Sequence, residues 1–269
     1  MAIAEKTAPR NPANEPDKPE KKKESTLEFI SSIAVVLVVG LFIITFNLQA
    51  FEIPSSSMEQ TLLIGDHVFV DRVSFAPKTP WLGPLEPYRA PRHGDIVVFL
   101  SLTDPGMYIV KRIIGVPGDH IHLRNGVVYR NGVALNEPYT HHCLDAGQCP
   151  EAAFDRNYRE NFPAVPAGGA TPEWHATVHN YIQGDDVVVP PDRFFAMGDN
   201  RDVSYDSRYW GFIPKENIIG RPMFIYWSFQ TPADQVNKTA LSERLAFVGH
   251  VVLHFFGETR WNRTFHLVR

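Results

Sequence analysis

Cysteine is almost missing from this chain: two in 269 residues, Cys143 and Cys149. With so few, neither a disulfide-stapled scaffold nor a four-cysteine zinc site is available. An excess of basic residues is missing as well. Lys and Arg number 26 against 30 Asp and Glu, for a net charge of −4, and no basic cluster occurs beyond the N-terminal tail. This balance argues against a nucleic-acid partner, because such partners are held by neutralising phosphates. Long apolar runs are scarce too, and the one exception organises the rest of the chain.

Residues 29–51 carry no charge, and residues 33–46 are almost entirely Ala, Val, Leu, Ile, Gly and Phe. As a helix rising about 1.5 Å per residue, the run extends roughly 34 Å, enough for a hydrocarbon core of about 30 Å. A transmembrane anchor is predicted over residues 27–48, with residues 49–269 beyond it. Lys18, Lys21, Lys22 and Lys23 precede the run, and no Lys or Arg follows it before Arg72. Positive-inside bias then assigns a cytoplasmic N-terminus and an extracytoplasmic remainder. A cleaved signal peptide is the competing reading, with Leu48-Gln49-Ala50 as a weak cleavage site. Its apolar core is about 7–15 residues long, however, and the tail before this run is long for one. Residues 1–26, rich in Pro, Lys, Glu and Ala, are expected to be a disordered cytoplasmic tail. A second apolar stretch, residues 245–256, is interrupted by Gly249, His250 and His254, and is expected to be a buried strand or a surface lying on the bilayer.

Periodicity beyond the anchor favours strands. Residues 67–70, 95–100, 108–114 and 218–229 are β-branched or aromatic runs bounded by Gly, Pro and Asp. Asn125-Gly126 and Asn131-Gly132 offer the positive-φ pairs of tight hairpins. The predicted class is mostly β: one N-terminal helix, then a catalytic domain of antiparallel sheets with an inserted β- and loop-rich subdomain around residues 136–186. Both cysteines fall in that insertion, and on the extracytoplasmic side a close pair reads as a disulfide worth about 2 kcal/mol. Zinc is the alternative, since His141, His142, His175 and His179 share the segment. The five residues between the cysteines are a wider spacing than zinc ligands usually show.

The chemistry-bearing candidates are a serine run and a lone lysine. Ser57 closes Pro54-Ser55-Ser56-Ser57, and Lys111 interrupts a strand-like stretch 54 residues later. In a strand, Ile109, Lys111 and Ile113 share one face. Burial among apolar groups disfavours the ammonium form, which is the condition for a lysine to take a serine proton near neutral pH. Taken singly, the serines read as a solvated turn and the lysine as a side chain snorkelling to water. A third segment, Gly198-Asp199-Asn200-Arg201-Asp202-Val203-Ser204-Tyr205-Asp206-Ser207-Arg208, is too dense in charges and hydroxyls for an ordinary connection.

Together these segments resemble the bacterial type I signal peptidases, serine-lysine endopeptidases. Ile53-Pro54-Ser55-Ser56-Ser57-Met58 with Thr61-Leu62 and Gly65-Asp66 looks like the nucleophile box of that family. Gly94-Asp95-Ile96-Val97-Val98-Phe99, then Lys111-Arg112 through Gly115-Val116-Pro117-Gly118-Asp119, look like the next two boxes, and residues 198–211 like the last. The resemblance implies Ser57 as nucleophile, Lys111 as general base and Ser204 as a hydroxyl bonded to the lysine amine. It implies an oxyanion hole made by the Ser57 backbone N–H and the Ser55 hydroxyl, and structural support from Asp199, Arg201 and an Asp206–Arg208 ion pair. The Cys143–Cys149 disulfide resembles one found in some proteobacterial members. Two departures stand out: Ser56 where many members have Gly, and Ile109 where an aromatic is common.

The implied activity is removal of N-terminal signal peptides after small residues, Ala-X-Ala in type, through an acyl-enzyme. The substrate would add as a strand beside Lys111, with Phe51, Ile53, Pro54, Met58, Leu62, Val98, Ile109 and Val110 forming shallow pockets. The resemblance implies no metal and no organic cofactor. Its implied partners are signal-peptide-bearing precursors, the lipid bilayer and the protein export machinery, and its implied location is the bacterial inner membrane, single pass, with the catalytic domain periplasmic. The near alternative is another serine-lysine processing peptidase of the same broad group, such as a mitochondrial inner-membrane peptidase or a self-cleaving repressor. A repressor should carry a helix-turn-helix DNA-binding segment in place of a membrane anchor, and this chain does not. A membrane-tethered, non-catalytic β-rich binding module is the other alternative.

Overall fold

The computed structural model describes residues 26–75, 89–142, 156–164 and 168–268. Of the disordered tail expected over residues 1–26, residues 1–25 lie outside the described residues, as do both cysteines, and Thr26 opens a helix. The chain divides into a unit ending at Phe42 and a second from Ile43 onward. In the first, α1 (Thr26–Phe42) is a 17-residue helix with no buried residue. A π-helical turn (Ile43–Asn47) follows, and Leu48 already belongs to a strand. The continuous helix expected over residues 27–48 is therefore divided. Ile43-Ile44-Thr45 is a β-branched run of lower helix propensity, and from Leu48 the backbone hydrogen-bonding groups are taken up by strand pairing. Among the described residues no helix is long and apolar enough to cross a membrane.

The second unit is mostly antiparallel β-sheet. It opens with β1 (Leu48–Glu52), β2 (Asp66–Asp71), β3 (Ile96–Leu100) and β4 (Tyr108–Gly115). A smaller sheet takes β5 (His120–Arg124), β6 (Val127–Arg130), β7 (Val133–Ala134), β8 (Ile182–Gln183) and β9 (Asp186–Val188). The chain then returns through β10 (Arg193–Met197), β11 (Ile213–Pro214), β12 (Ile218–Ser228) and β13 (His266–Leu267). The large sheet has the order β1-β2-β12-β3-β4-β10-β11, with β13 on β12; the small one runs β7-β6-β5-β9-β8. The small sheet therefore brackets the expected insertion on both sides. Helices α2 (Arg156–Glu160) and α3 (Pro172–Thr177) lie within it, and α4 (Ser207–Trp210) follows β10.

Local chemistry explains the turns. Asn125 and Gly126, and Asn131 and Gly132, all hold positive φ between β5, β6 and β7, where type I′ geometry matches the strand twist. Two clusters meet at the site. Ile53, Met58, Leu62, Val68, Val70, Ile96, Val98 and Ile225 pack together on one side. Val97, Phe99, Ile113, Phe194, Ala196, Trp210, Ile213 and Ile218 form the other. Residues 245–256 are neither a buried strand nor short: they lie in α5 (Leu241–Glu258), an 18-residue helix with no buried residue. Its outward face is the apolar one, with Leu245, Val252, Leu253 and Phe256 each more than 60% exposed.

Candidate active site

Ser57 sits in a one-turn 3-10 helix, Ser56–Met58, directly after β1. The turn is held from both ends. Before it, Ile53 exchanges backbone hydrogen bonds with the β2 entry, its N–H donating to the Asp66 carbonyl at 2.9 Å and its carbonyl accepting from Gly65 at 3.0 Å. After it, the Leu62 N–H donates to the Met58 carbonyl at 2.8 Å. Ile53, Met58 and Leu62 are all buried, so apolar anchors fix a polar turn. Ser57 itself stays half-buried and Ser55 exposed.

Lys111 approaches from β4, where it lies opposite Val97 of β3. Its Nζ donates to Ser57 Oγ at 2.7 Å. Only 3% of the lysine is exposed. Burial pushes its pKa down to about 8; Asp206 and Asp199 oppose the shift, and Arg208 adds to it. A lysine with this pKa is uncharged about a tenth of the time at pH 7, far more than an exposed ammonium. The Ser55 and Ser57 hydroxyls lie 3.3 Å apart, so Ser55 stands beside the atom where a tetrahedral oxyanion would form.

The loop after β10 closes the site through buried charge pairs. Asp206 accepts the Arg208 guanidinium twice, at 2.9 and 2.8 Å, and both side chains are buried. That pairing holds the Asp206 carboxyl below the usual carboxylate range despite its burial. Asp206 also caps α4, accepting the Arg208 N–H. Asp199 receives Arg112 in the same forked manner, at 2.8 and 2.7 Å, together with the Thr61 hydroxyl. Arg201 is held by Glu137 at 2.9 and 2.7 Å. Charges removed this far from water persist only with such complete pairing.

Ser204 departs from its expected role. Its hydroxyl accepts the Gly198 N–H at 3.1 Å and bonds the Asp206 carboxylate; among the described residues no hydrogen bond joins it to the Lys111 amine. Asp206, holding two acceptors in a buried place, draws the hydroxyl proton. Gly198 brings this loop against the nucleophile turn: a Cβ there would overlap both the Ser57 carbonyl oxygen and the Ser204 hydroxyl.

A groove of about 300 Å³ runs past the Ser57 and Lys111 side chains. Phe51, Ile53, Pro54, Met58, Val98, Ile109 and Val110 line it, as expected from the sequence. Leu62 does not; it is fully buried in the core beneath, where its methyl groups support Met58 and Ile53. Glu52, Ser55, Met107, Tyr108, Val236 and Asn237 also line it, and no sequence motif marks the last four. Two strand edges border the groove. β1 is the end of the large sheet. β10 pairs β4 only from Arg112 onward, leaving the Tyr108–Lys111 portion without a strand neighbour on that side among the described residues. The Phe51 and Tyr108 rings meet edge to face at 5.0 Å between these two strands.

A hydroxyl and a desolvated amine at hydrogen-bond distance, beside a groove bordered by strand edges, are chemically equipped for acyl transfer. Comparisons with known proteins give the family. The family model "Signal peptidase, peptidase S26" matches residues 26–227. A probable signal peptidase I-2 of Synechocystis sp. is 34% identical over 217 residues, 77% of this chain and 78% of that one. Signal peptidase I of Pseudomonas aeruginosa is 31% identical over 238 residues, 81% of this chain and 80% of the other. A crystal structure of a signal peptidase I from Enterococcus faecalis V583 aligns at 28% identity and a TM-score of 0.35, over 49% of this chain and 97% of that one. The chain belongs to the signal peptidase S26 family.

Proposed function

We propose that this protein is a membrane-anchored endopeptidase that removes N-terminal signal peptides from exported precursors, with Ser57 as nucleophile and Lys111 as general base. The 2.7 Å contact between Lys111 Nζ and Ser57 Oγ carries the proposal. In the neutral amine the polarity of that hydrogen bond reverses, and the Ser57 hydroxyl donates to the lysine lone pair. As the proton moves to Nζ, Oγ attacks the scissile carbonyl carbon and the carbonyl oxygen becomes an oxyanion. The Ser57 N–H and the Ser55 hydroxyl stabilise it; losing one such donor typically costs about 3–4 kcal/mol. The Lys111 ammonium then returns its proton to the leaving amine. Water, deprotonated by the same amine, hydrolyses the Ser57 ester and regenerates both groups. Ser204 and Asp206 position the loop that supports Ser57 rather than touching the reacting atoms.

The substrate segment would lie extended between β1 and the open half of β4, held by main-chain hydrogen bonds. Shallow apolar walls from Phe51, Met58, Val98 and Val110 suit residues as small as alanine. Residues 27–48, whose charge-free run begins at Phe29, would serve as the single anchor, with residues 49–269 as the extracytoplasmic catalytic part. The outward apolar face of α5 suits contact with the same lipid. Purified Ser57→Ala and Lys111→Ala proteins, folded by circular dichroism, should each leave a precursor uncleaved. Cleavage by folded Lys111→Ala would remove the lysine from its role, and cleavage by neither the variants nor the wild type would favour a binding module.

A further inference from the structure

Helix α5 places a second set of reactive side chains well away in sequence from Ser57. His250, His254 and Glu258 recur every four residues, so each stands about one turn above the last, on neighbouring positions of the helix surface. One ring nitrogen of each imidazole and one Glu258 oxygen all lie within 4.8 Å of one another. His250 Nε2 and Glu258 Oε2 are already 2.8 Å apart, and the two imidazole rings stack at 4.2 Å.

The hydrogen bonding of His254 adds an independent observation. Its Nδ1 lies 3.0 Å from the His250 backbone carbonyl, an acceptor, so the proton sits on Nδ1 and the Nε2 lone pair is free. A backbone carbonyl fixing one ring nitrogen while the other is left as a donor is the usual support of a metal-bound histidine. The framework beneath is anchored too. The Gln230 N–H donates to the Glu258 carbonyl at 3.0 Å, and His250 packs edge-on to the Phe229 ring. None of the three residues lines the catalytic groove.

We propose that His250, His254 and Glu258 bind one divalent zinc ion that clips the last two turns of α5. Two imidazoles and a carboxylate are the nitrogen and oxygen donors that zinc accepts at about 2.0–2.2 Å, and water would complete a tetrahedron. Zinc would replace the 2.8 Å hydrogen bond between His250 Nε2 and Glu258 Oε2, with small side-chain adjustments bringing the three ligand atoms to one ion. The site is separate from peptide hydrolysis and does not enter its steps.

The test uses the full chain in detergent, metal-stripped and titrated with Zn²⁺ by calorimetry, with Co²⁺ absorption to report the coordination geometry. His254→Ala is the main variant, because its ring is exposed and its loss leaves the protein core untouched. A His141→Ala/His142→Ala double variant serves as the control for the other histidine segment. One zinc per chain should bind the wild type and the control alike, with a four-coordinate Co²⁺ spectrum. Affinity should fall at least tenfold in both His254→Ala and Glu258→Gln. Absence of zinc binding in the wild type, or binding undiminished in His254→Ala, overturns the proposal.

Discussion

The Ser57 carbonyl oxygen accepts the Asn200 N–H at 3.1 Å, tying the nucleophile turn to the loop that follows β10. Two segments 143 residues apart in sequence thus share one backbone hydrogen bond at the reacting residue. The approach is close enough that Gly198, two residues earlier, has no room for a side chain. The Ser57 hydroxyl is consequently positioned by backbone contact with this loop, and the Lys111 amine by β4.

Gly198→Ala tests this closeness. The added methyl group must displace the Ser57 carbonyl or the Ser204 hydroxyl, and a shift of about 1 Å at a nucleophile can cost on the order of 100-fold in rate. The expected outcome is a folded protein with kcat reduced about 100-fold and KM little changed. Steady-state kinetics on a precursor peptide would measure the split.

Lys111 sets the pH dependence. Because its pKa is lowered to about 8, the neutral amine accumulates as pH rises through that value. The activity should therefore climb with unit slope below pH 8 and level off above it, once substrate binding is held constant. Stability follows the same shift. Between about pH 8 and the ordinary value of 10.5, the unfolded chain holds a proton that the folded one has released, so stability rises with pH across that window. Below it both states are protonated and the cost of the buried ammonium is fully present. Lys111→Met should abolish cleavage, remove this pH dependence and stabilise the fold at pH 7 by on the order of 3 kcal/mol. Chemical denaturation at pH 7 and pH 10 would show both effects.

Arg112 and Asp199 form a fully desolvated ion pair, with side chains 4% and 0% exposed. Removing one partner leaves an uncompensated buried charge at a cost of about 3–5 kcal/mol. Arg112→Met should lose that much stability. The double variant Arg112→Met/Asp199→Leu should recover a large part of it, as a thermal or urea unfolding cycle would reveal.

Cys143 and Cys149 lie outside the described residues, and their pairing is a proposal from spacing and compartment. Protein isolated from the extracytoplasmic side should resist alkylation until reduced and then take up two labels, counted by mass. Two thiols free before reduction would remove the bond. The cleavage rate should be unchanged in a Cys143→Ser/Cys149→Ser protein.

Much of the architecture was legible because local and global signals agree. The runs at residues 67–70, 95–100, 108–114 and 218–229 reappear as β2, β3, β4 and β12, and both Asn-Gly pairs make the hairpins they advertise. Ser57 and Lys111 were legible only through ordered motifs; strand periodicity alone gave Lys111 a face, not a partner. What sequence could not supply is long-range. Arg112 with Asp199, Arg201 with Glu137 and Asn200 with Ser57 join segments between 64 and 143 residues apart. The Ser204 hydroxyl, expected at the Lys111 amine, accepts the Gly198 N–H in the structure, a contact within its own loop that the sequence does not advertise. Of the two expectations for residues 245–256, the buried strand is overturned: they lie in α5, whose apolar stripe faces outward, while the surface lying on the bilayer stays a proposal.

The half-open edge of β4 decides what kind of chain can reach the serine. A sheet edge accepts only a partner whose own backbone donors and acceptors are unspent, which excludes helices and the interior strands of finished domains. Among the described residues the stretch without a strand neighbour on that side is four residues long, Tyr108–Lys111, before β10 occupies it. On the proposed function, cleavage would be confined to short linear stretches that have not yet folded, or that folding has left outside. Discrimination by conformation precedes any recognition of side chains, and a folded protein passing the same groove offers it nothing to hold.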